Sequence, residues 1–349
     1  MQQVVYVASP VSQQIHVFSL LANGDLQLLQ TVATLGQVQP LLLSPNGQWL
    51  YGAQRPDFAV VSYRIGPDGQ LKQQGMAPLA GSPSHTAITP CGRFLLAASY
   101  AFNHVTVSAI DAAGQVAPPH QQWDGLQAAH SVTLLSRTQP NDQQEVLVAC
   151  LKEDAIRRFF LTEQGTLLPH PRGAIPTAAG AGPRHLALHP THRDIYCLNE
   201  LDCTINRYQR EDDGQITLRQ RLPMLPAGYQ GEHWGADLHV TPDGRFLYSS
   251  ERASSLLTLF AIAPHDGNLS LLGHYPTESM PRGFAIDQGG RYLLAAGQTS
   301  HHLAVHRINE HTGELTLHGR YPVGEGAMWV RVLTLAPSPS AMAHGGSAV

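Results

Sequence analysis

Lysine is almost missing from this 349-residue chain: Lys72 and Lys152 are the only two, so nearly all of its 22 basic side chains are arginines. Charge of either sign is sparse, at 14% of residues, and 22 basic against 26 acidic groups leave a formal net charge of -4. That balance removes any general attraction to nucleic acid or to an anionic membrane. Codon bias is the simplest account of the arginine excess, although arginine also offers phosphate and carboxylate a fork that lysine lacks. Cysteine is scarce too. Cys91, Cys150, Cys197 and Cys203 show no CxxC pairing and no thiolate–imidazole spacing, which excludes a disulfide framework and a zinc knuckle. No apolar run is long enough to span a membrane, and "MQQVVYVASP" lacks a basic segment followed by an apolar core, so a soluble cytoplasmic protein is expected.

Catalytic signatures are equally thin. The chain has no GxxxxGK[ST] phosphate loop, no HExxH zinc motif and no GxSxG nucleophile elbow. His130 and Ser131 are only neighbours in a strand, on opposite faces if the strand is regular, so covalent catalysis is disfavoured. His185 and His189 suggest no metal site, because the second belongs to a turn. No cofactor and no metal are expected.

What is abundant is glycine, 32 residues, and proline, 25, spread along a chain that is 43% hydrophobic. Glycine, any residue, then an aliphatic recurs at Gly24, Gly69, Gly114, Gly165, Gly214, Gly267 and Gly313, at intervals of about 45 to 53 residues. Each copy resembles a hairpin turn whose glycine takes a positive φ. A second turn marker keeps the same register: "SPNG", "TPCG", "HPTH", "TPDG" and "DQGG" each precede a short aromatic-aliphatic run. The repeat containing "SRTQPND" lacks it. The pattern predicts an all-β, seven-bladed propeller with four antiparallel strands per blade, since one such sheet cannot cover both its faces but seven packed radially can.

The termini predict how the ring closes. "VVYVAS…IHVFSL…GDLQLL" is a repeat without its first strand, and "AMWVRVLTL" is a first strand without its repeat. Met328 to Leu335 should therefore pair with the N-terminal strands. Residues 1–335 would form one propeller, and the small-residue and proline-rich tail 336–349 would be disordered.

Innermost strands line the channel, so residues entering them should face the axis. That column reads Gln39, Ser84 with His85, His130 with Ser131, Arg184 with His185, Asp237, Arg282 and Trp329. A second column, at the end of each second strand, reads Arg55, Tyr100, Glu200, Arg252 and Gln298. Both are expected at one mouth of the channel. A lone charge at a strand end is usually just solvated, but "PRH" and "PRG" occupy corresponding positions two blades apart. His301 and His302 read as loop residues.

Seven phrases, "VYVASPVSQQIHVFSL", "GQVQPLLLSP", "GAGPRHLALHP", "YCLNEL", "ADLHVTPDGRFLY", "PRGFAID" and "LLAAGQTSHHLAVH", closely resemble the bacterial seven-bladed propeller 6-phosphogluconolactonases. The lactonase family they belong to also includes fungal carboxymuconate cycloisomerases. The similarity runs from about Val4 to Val332. It implies hydrolysis of 6-phospho-D-glucono-1,5-lactone to 6-phosphogluconate, with a phosphorylated sugar lactone as the partner; separately, a monomer is expected. Carried over by motif, the proposed histidine, two arginines and glutamate of the cycloisomerase branch fall on His130, Arg184, Glu200 and Arg282. Ester hydrolysis needs an activated water, a donor for the oxyanion and a grip on the remote phosphate. The expected roles are Glu200 or His130 as general base, Arg184 on the lactone carbonyl, and Arg282 with Arg55 or Arg252 on the phosphate. His85, His185, Asp237 and Gln298 are expected to bind substrate. A cycloisomerase or a hydrolase acting on another lactone, or a non-catalytic scaffold, is the competing expectation; low aromatic content, 7%, argues against the scaffold.

Overall fold

All seven turn glycines take a positive φ, from +71° at Gly267 to +99° at Gly24, a region that costs other residues about 1–2 kcal/mol. All of them but Gly214 also sit tight against the neighbouring sheet. A side chain at Gly114 would run into the Trp49 ring, and one at Gly165 into Phe94, in each case on the preceding sheet. Tyrosines bridge the same joints: the Tyr6 hydroxyl donates to the Gly69 carbonyl, Tyr51 to Gly114 and Tyr196 to Gly267. At those six turns glycine is therefore needed both for the turn and for close approach of the adjoining blade.

The computed structural model describes residues 2–135, 143–191 and 193–336. The "SRTQPND" turn, and the tail beyond Ala336, lie outside the described residues. Seven separate antiparallel sheets are formed. In the blade after the first glycine turn, Gln37–Leu43 is innermost, followed outward by Trp49–Arg55, Ala59–Ile65 and Leu71–Pro78. Six sheets have four strands; the one built on Ala129–Leu134 adds a two-residue strand, Ile175–Pro176. The one helical piece among the described residues is a 3-10 turn, Leu151–Glu153.

Closure occurs where the termini predicted it. Trp329–Thr334 pairs antiparallel with Gln3–Ser9, with Ala8 opposite Trp329 and Gln3 opposite Thr334. Flanking bonds from Met328 N to the Ala8 carbonyl and from Leu335 N to the Gln2 carbonyl extend that pairing. Seven hydrophobic clusters hold the ring, one at each joint between adjacent blades. Second strands such as Gln3–Ser9 and Gln144–Cys150 are buried along their whole length. Outermost strands such as Leu26–Ala33 show a wet face.

Candidate active site

Irregularity in the inner strands builds the site. Five of them slip register against their second strands, between Val38 and Leu41, Ala129 and Ser131, Pro183 and His185, Gly235 and Leu238, and Pro281 and Gly283. The extra residues at these bulges include Gln39, His130, Arg184, Asp237 and Arg282. A bulge re-aims its side chain and interrupts strict alternation. Arg184 and His185, though adjacent, therefore meet: Arg184 Nη1 lies 3.3 Å from His185 Nε2. Proline precedes two of the bulged arginines, at Pro183 and Pro281, where a missing N–H costs the ladder nothing. Gly283 is needed because a Cβ there would lie 2.3 Å from the Met328 carbonyl oxygen.

These side chains open into an axial cavity of about 250 Å³ whose walls include Arg55, His130, Arg184, Glu200, Trp234, Arg252, Arg282, Tyr100 and Trp329. Larger clefts around Cys91 and Arg93 lie at outer turns and gather no comparable set. Glu200 organises the axial cavity. Its Oε2 is 2.7 Å from Arg184 Nε and 3.2 Å from Arg252 Nη2, and its Oε1 accepts from Trp234 Nε1 at 3.2 Å. Arg184, only 1% exposed, also donates from Nη1 to the Ala236 carbonyl. Arg252 donates to the Trp234 and Gly235 carbonyls, its guanidinium 4.0 Å above the Trp234 ring. His130 Nε2 is 4.0 Å from Glu200 Oε2, and its Nδ1 is buried without a partner. Arg55 Nε donates to Gln37 Oε1.

Four guanidiniums, Arg55, Arg184, Arg252 and Arg282, thus face a single lining carboxylate, Glu200. Burial, reinforced by Arg184, pulls Arg252 down to about 9 and Arg282 down to about 10. Such crowding is repulsion that a bound anion would relieve. Burial and the neighbouring Arg184 also hold His130 well below the ordinary histidine range, so it is neutral at pH 7.

The two sequence columns do not share one cavity completely. Arg55, Tyr100, Glu200 and Arg252 join Gln39, Ser84, His130, Arg184, Arg282 and Trp329 at this mouth. His85, His185 and Asp237, expected to bind substrate, instead line an adjoining section of the channel of about 220 Å³, with His239, Trp329 and Arg331. Gln298 lines neither; its backbone N–H bonds to the Met280 carbonyl and its Oε1 is buried without a partner. Three residues escaped the sequence reading. His239 and Arg331 lie two positions beyond Asp237 and Trp329, so the period of two along a strand marks them as channel-facing. Trp234 ends the "LPAGYQGEHW" loop before Gly235, a stretch whose relation to the substrate the sequence left open and in which it did not single out the tryptophan.

Fold and cavity together define a β-propeller with an arginine-rich pocket on its axis. Residues 4–332 match the family described as Lactonase, 7-bladed beta-propeller, and the chain belongs to that family. It is 50% identical over 334 residues to a 6-phosphogluconolactonase of Serratia proteamaculans, covering 95% of this chain and 99% of the relative. A 6-phosphogluconolactonase of Yersinia pestis is 51% identical over 333 residues, covering 95% and 98%. Among solved structures, the periplasmic gluconolactonase PpgL of Pseudomonas aeruginosa superposes with a TM-score of 0.87 at 24% identity, over 96% of this chain and 100% of that one. At that identity the likeness concerns the fold. No helix among the described residues is long and apolar enough to cross a membrane.

Proposed function

We propose that this chain is a 6-phosphogluconolactonase, hydrolysing 6-phospho-D-glucono-1,5-lactone to 6-phospho-D-gluconate. The observation that carries this reading is the charge count of the axial cavity, four guanidiniums against one carboxylate. An uncharged lactone would use only a donor for its developing oxyanion; a phosphate dianion accounts for the remaining surplus. Half-identical relatives named for this activity support it.

In this reading His130 is the general base. It is neutral, and its Nε2 lies 4.0 Å from Glu200 Oε2, so that one water beside the pair can bond to both. Glu200 is the weaker candidate because its oxygens already serve Arg184, Arg252 and Trp234. His130 takes a proton as the water oxygen bonds to the lactone carbonyl carbon. Arg184 stabilises the oxyanion. Collapse of the tetrahedral adduct breaks the bond to the ring oxygen, which receives the proton back from His130. Arg282 and Arg55 hold the phosphate. A charged phosphosugar does not cross a membrane unaided, which supports a cytoplasmic location.

The test compares gluconolactone with its 6-phosphate as substrates, subtracting spontaneous hydrolysis. The phosphorylated lactone is expected to be preferred at least ~100-fold in kcat/KM, about 2.7 kcal/mol of phosphate grip. Equal rates on the two would refute a phosphate site, and no rate on either would refute a lactonase.

A further inference from the structure

Beyond the residues that line the reaction cavity, we propose that Asp237 is a positioning residue: by accepting the Nδ1–H of His185 it leaves that ring's bare Nε2 to hold Arg184 in its reactive orientation. The inference rests on the lactonase reading, because Arg184 matters as the oxyanion donor only if that reading holds.

Two ends of a short chain of contacts fix one tautomer. Asp237 Oδ1 lies 2.8 Å from His185 Nδ1 and also accepts the Leu238 N–H at 3.0 Å. Its Oδ2 lies 3.0 Å from His239 Nε2 and 3.5 Å from the Phe284 backbone N–H. An ionised carboxylate only accepts, so His185 must carry its hydrogen on Nδ1. Burial opposes the charge on Asp237, yet His239 and His185 keep its carboxyl well below the usual range. At the other end, Arg184 Nη1 lies 3.3 Å from His185 Nε2, and a guanidinium only donates. A neutral imidazole has one N–H, and burial beside Arg184 lowers His185 to about 4, so at pH 7 the ring is neutral. Nδ1–H with a bare Nε2 satisfies both neighbours. The opposite tautomer would aim an N–H at the guanidinium N–H.

The backbone reinforces the link. Ala236, directly before Asp237, supplies the carbonyl that accepts from Arg184 Nη1, and both residues belong to the bulge between Gly235 and Leu238. Arg184 thus hangs from Glu200 on the reaction side and from His185 and Ala236 on the channel side. Asp237 is 9% exposed and sits in the adjoining channel section, outside the walls of the reaction cavity. Its effect on the reaction must therefore pass through His185.

The tautomer of His185 is read by nitrogen-15 NMR, the signal assigned by its loss in His185→Gln, and kcat and KM are measured on the phosphorylated lactone. The wild-type ring is expected to carry its proton on Nδ1. Asp237→Ala should move it to Nε2 and lower kcat about 10- to 100-fold, with KM within about three-fold, as supporting residues typically do. Asp237→Asn, whose amide oxygen can still accept from His185 if His239 shifts its hydrogen to Nδ1 and accepts from the new NH2 through Nε2, should keep Nδ1–H on His185 and at least about a third of kcat. A wild-type ring protonated on Nε2 overturns the proposal, and this measurement stands even if a variant fails to fold. So does a variant with an Nε2–H ring and native kcat. A wild-type protein inactive on the lactone would instead overturn the functional reading, a separate failure from an active protein with the wrong tautomer.

Discussion

Replacing Glu200 by glutamine changes one atom and tests the whole cavity. Glutamine keeps the shape, but it has one accepting oxygen where Glu200 serves Trp234 with Oε1 and two arginines with Oε2. If the amide oxygen stays with Trp234, its NH2 points at Arg184 and Arg252; if it turns, Trp234 is left facing a donor. Removing one partner of a buried ion pair costs about 3–5 kcal/mol. Glu200 has a side chain 13% exposed, so the lower end, about 3 kcal/mol, applies. At ~2.1 cal/mol/K per residue over roughly 330 folded residues, that lowers Tm by about 4 °C. Misplacing the oxyanion donor should reduce kcat by ~10²- to 10³-fold, the equivalent of about 2.7–4 kcal/mol. KM should stay level or fall, because the cavity has lost its one lining negative charge and attracts the phosphate more strongly. Steady-state hydrolysis of the lactone generated in situ gives both constants. A kcat within about three-fold of wild type, or a large rise in KM at unchanged kcat, would refute the placement of Glu200 between the two arginines as the keystone of the site.

Arg282→Ala removes a guanidinium with no acidic contact partner among the described residues. It should cost about ten-fold or more in kcat/KM on the phosphorylated lactone and little on the unphosphorylated one, and equal losses on both would move the phosphate elsewhere. Stability should depend on pH through the buried histidines. Burial lowers His185 and His306 to about 4, so the unfolded chain takes up protons first as pH falls. Their contribution is complete above about 6.5 and is lost as pH drops from there towards 4, at up to about 1.4 kcal/mol per pH unit for each group. Urea midpoints that stay flat from pH 7 to pH 4.5 would contradict this. Gly114→Ala would place a Cβ 2.1 Å from the Trp49 ring at a φ of +73°. A loss of at least about 2 kcal/mol is expected, and a neutral result would show that the joint between these blades can yield.

The ring was legible in the chain because its causes are local and repeated. A positive φ at Gly24 or Gly313 is a demand of a few consecutive atoms, and seven such demands at similar spacing leave few architectures that satisfy them. Closure was legible for the same reason, since Trp329–Thr334 is a strand without a sheet and Gln3–Ser9 begins a sheet without its inner strand. The membership of the cavity was only partly legible. Alternation along a strand puts neighbours on opposite faces, yet the bulge between Pro183 and His185 brings Arg184 and His185 into contact. Depth along the axis is a tertiary quantity as well: His130 opens to the reaction cavity, while His185 and Asp237 line the section next to it. Local sequence thus determined how many sheets form and how they join. Register slips and the stacking of all seven inner strands decided which charges share one space, because those depend on distances between residues that the chain itself keeps far apart.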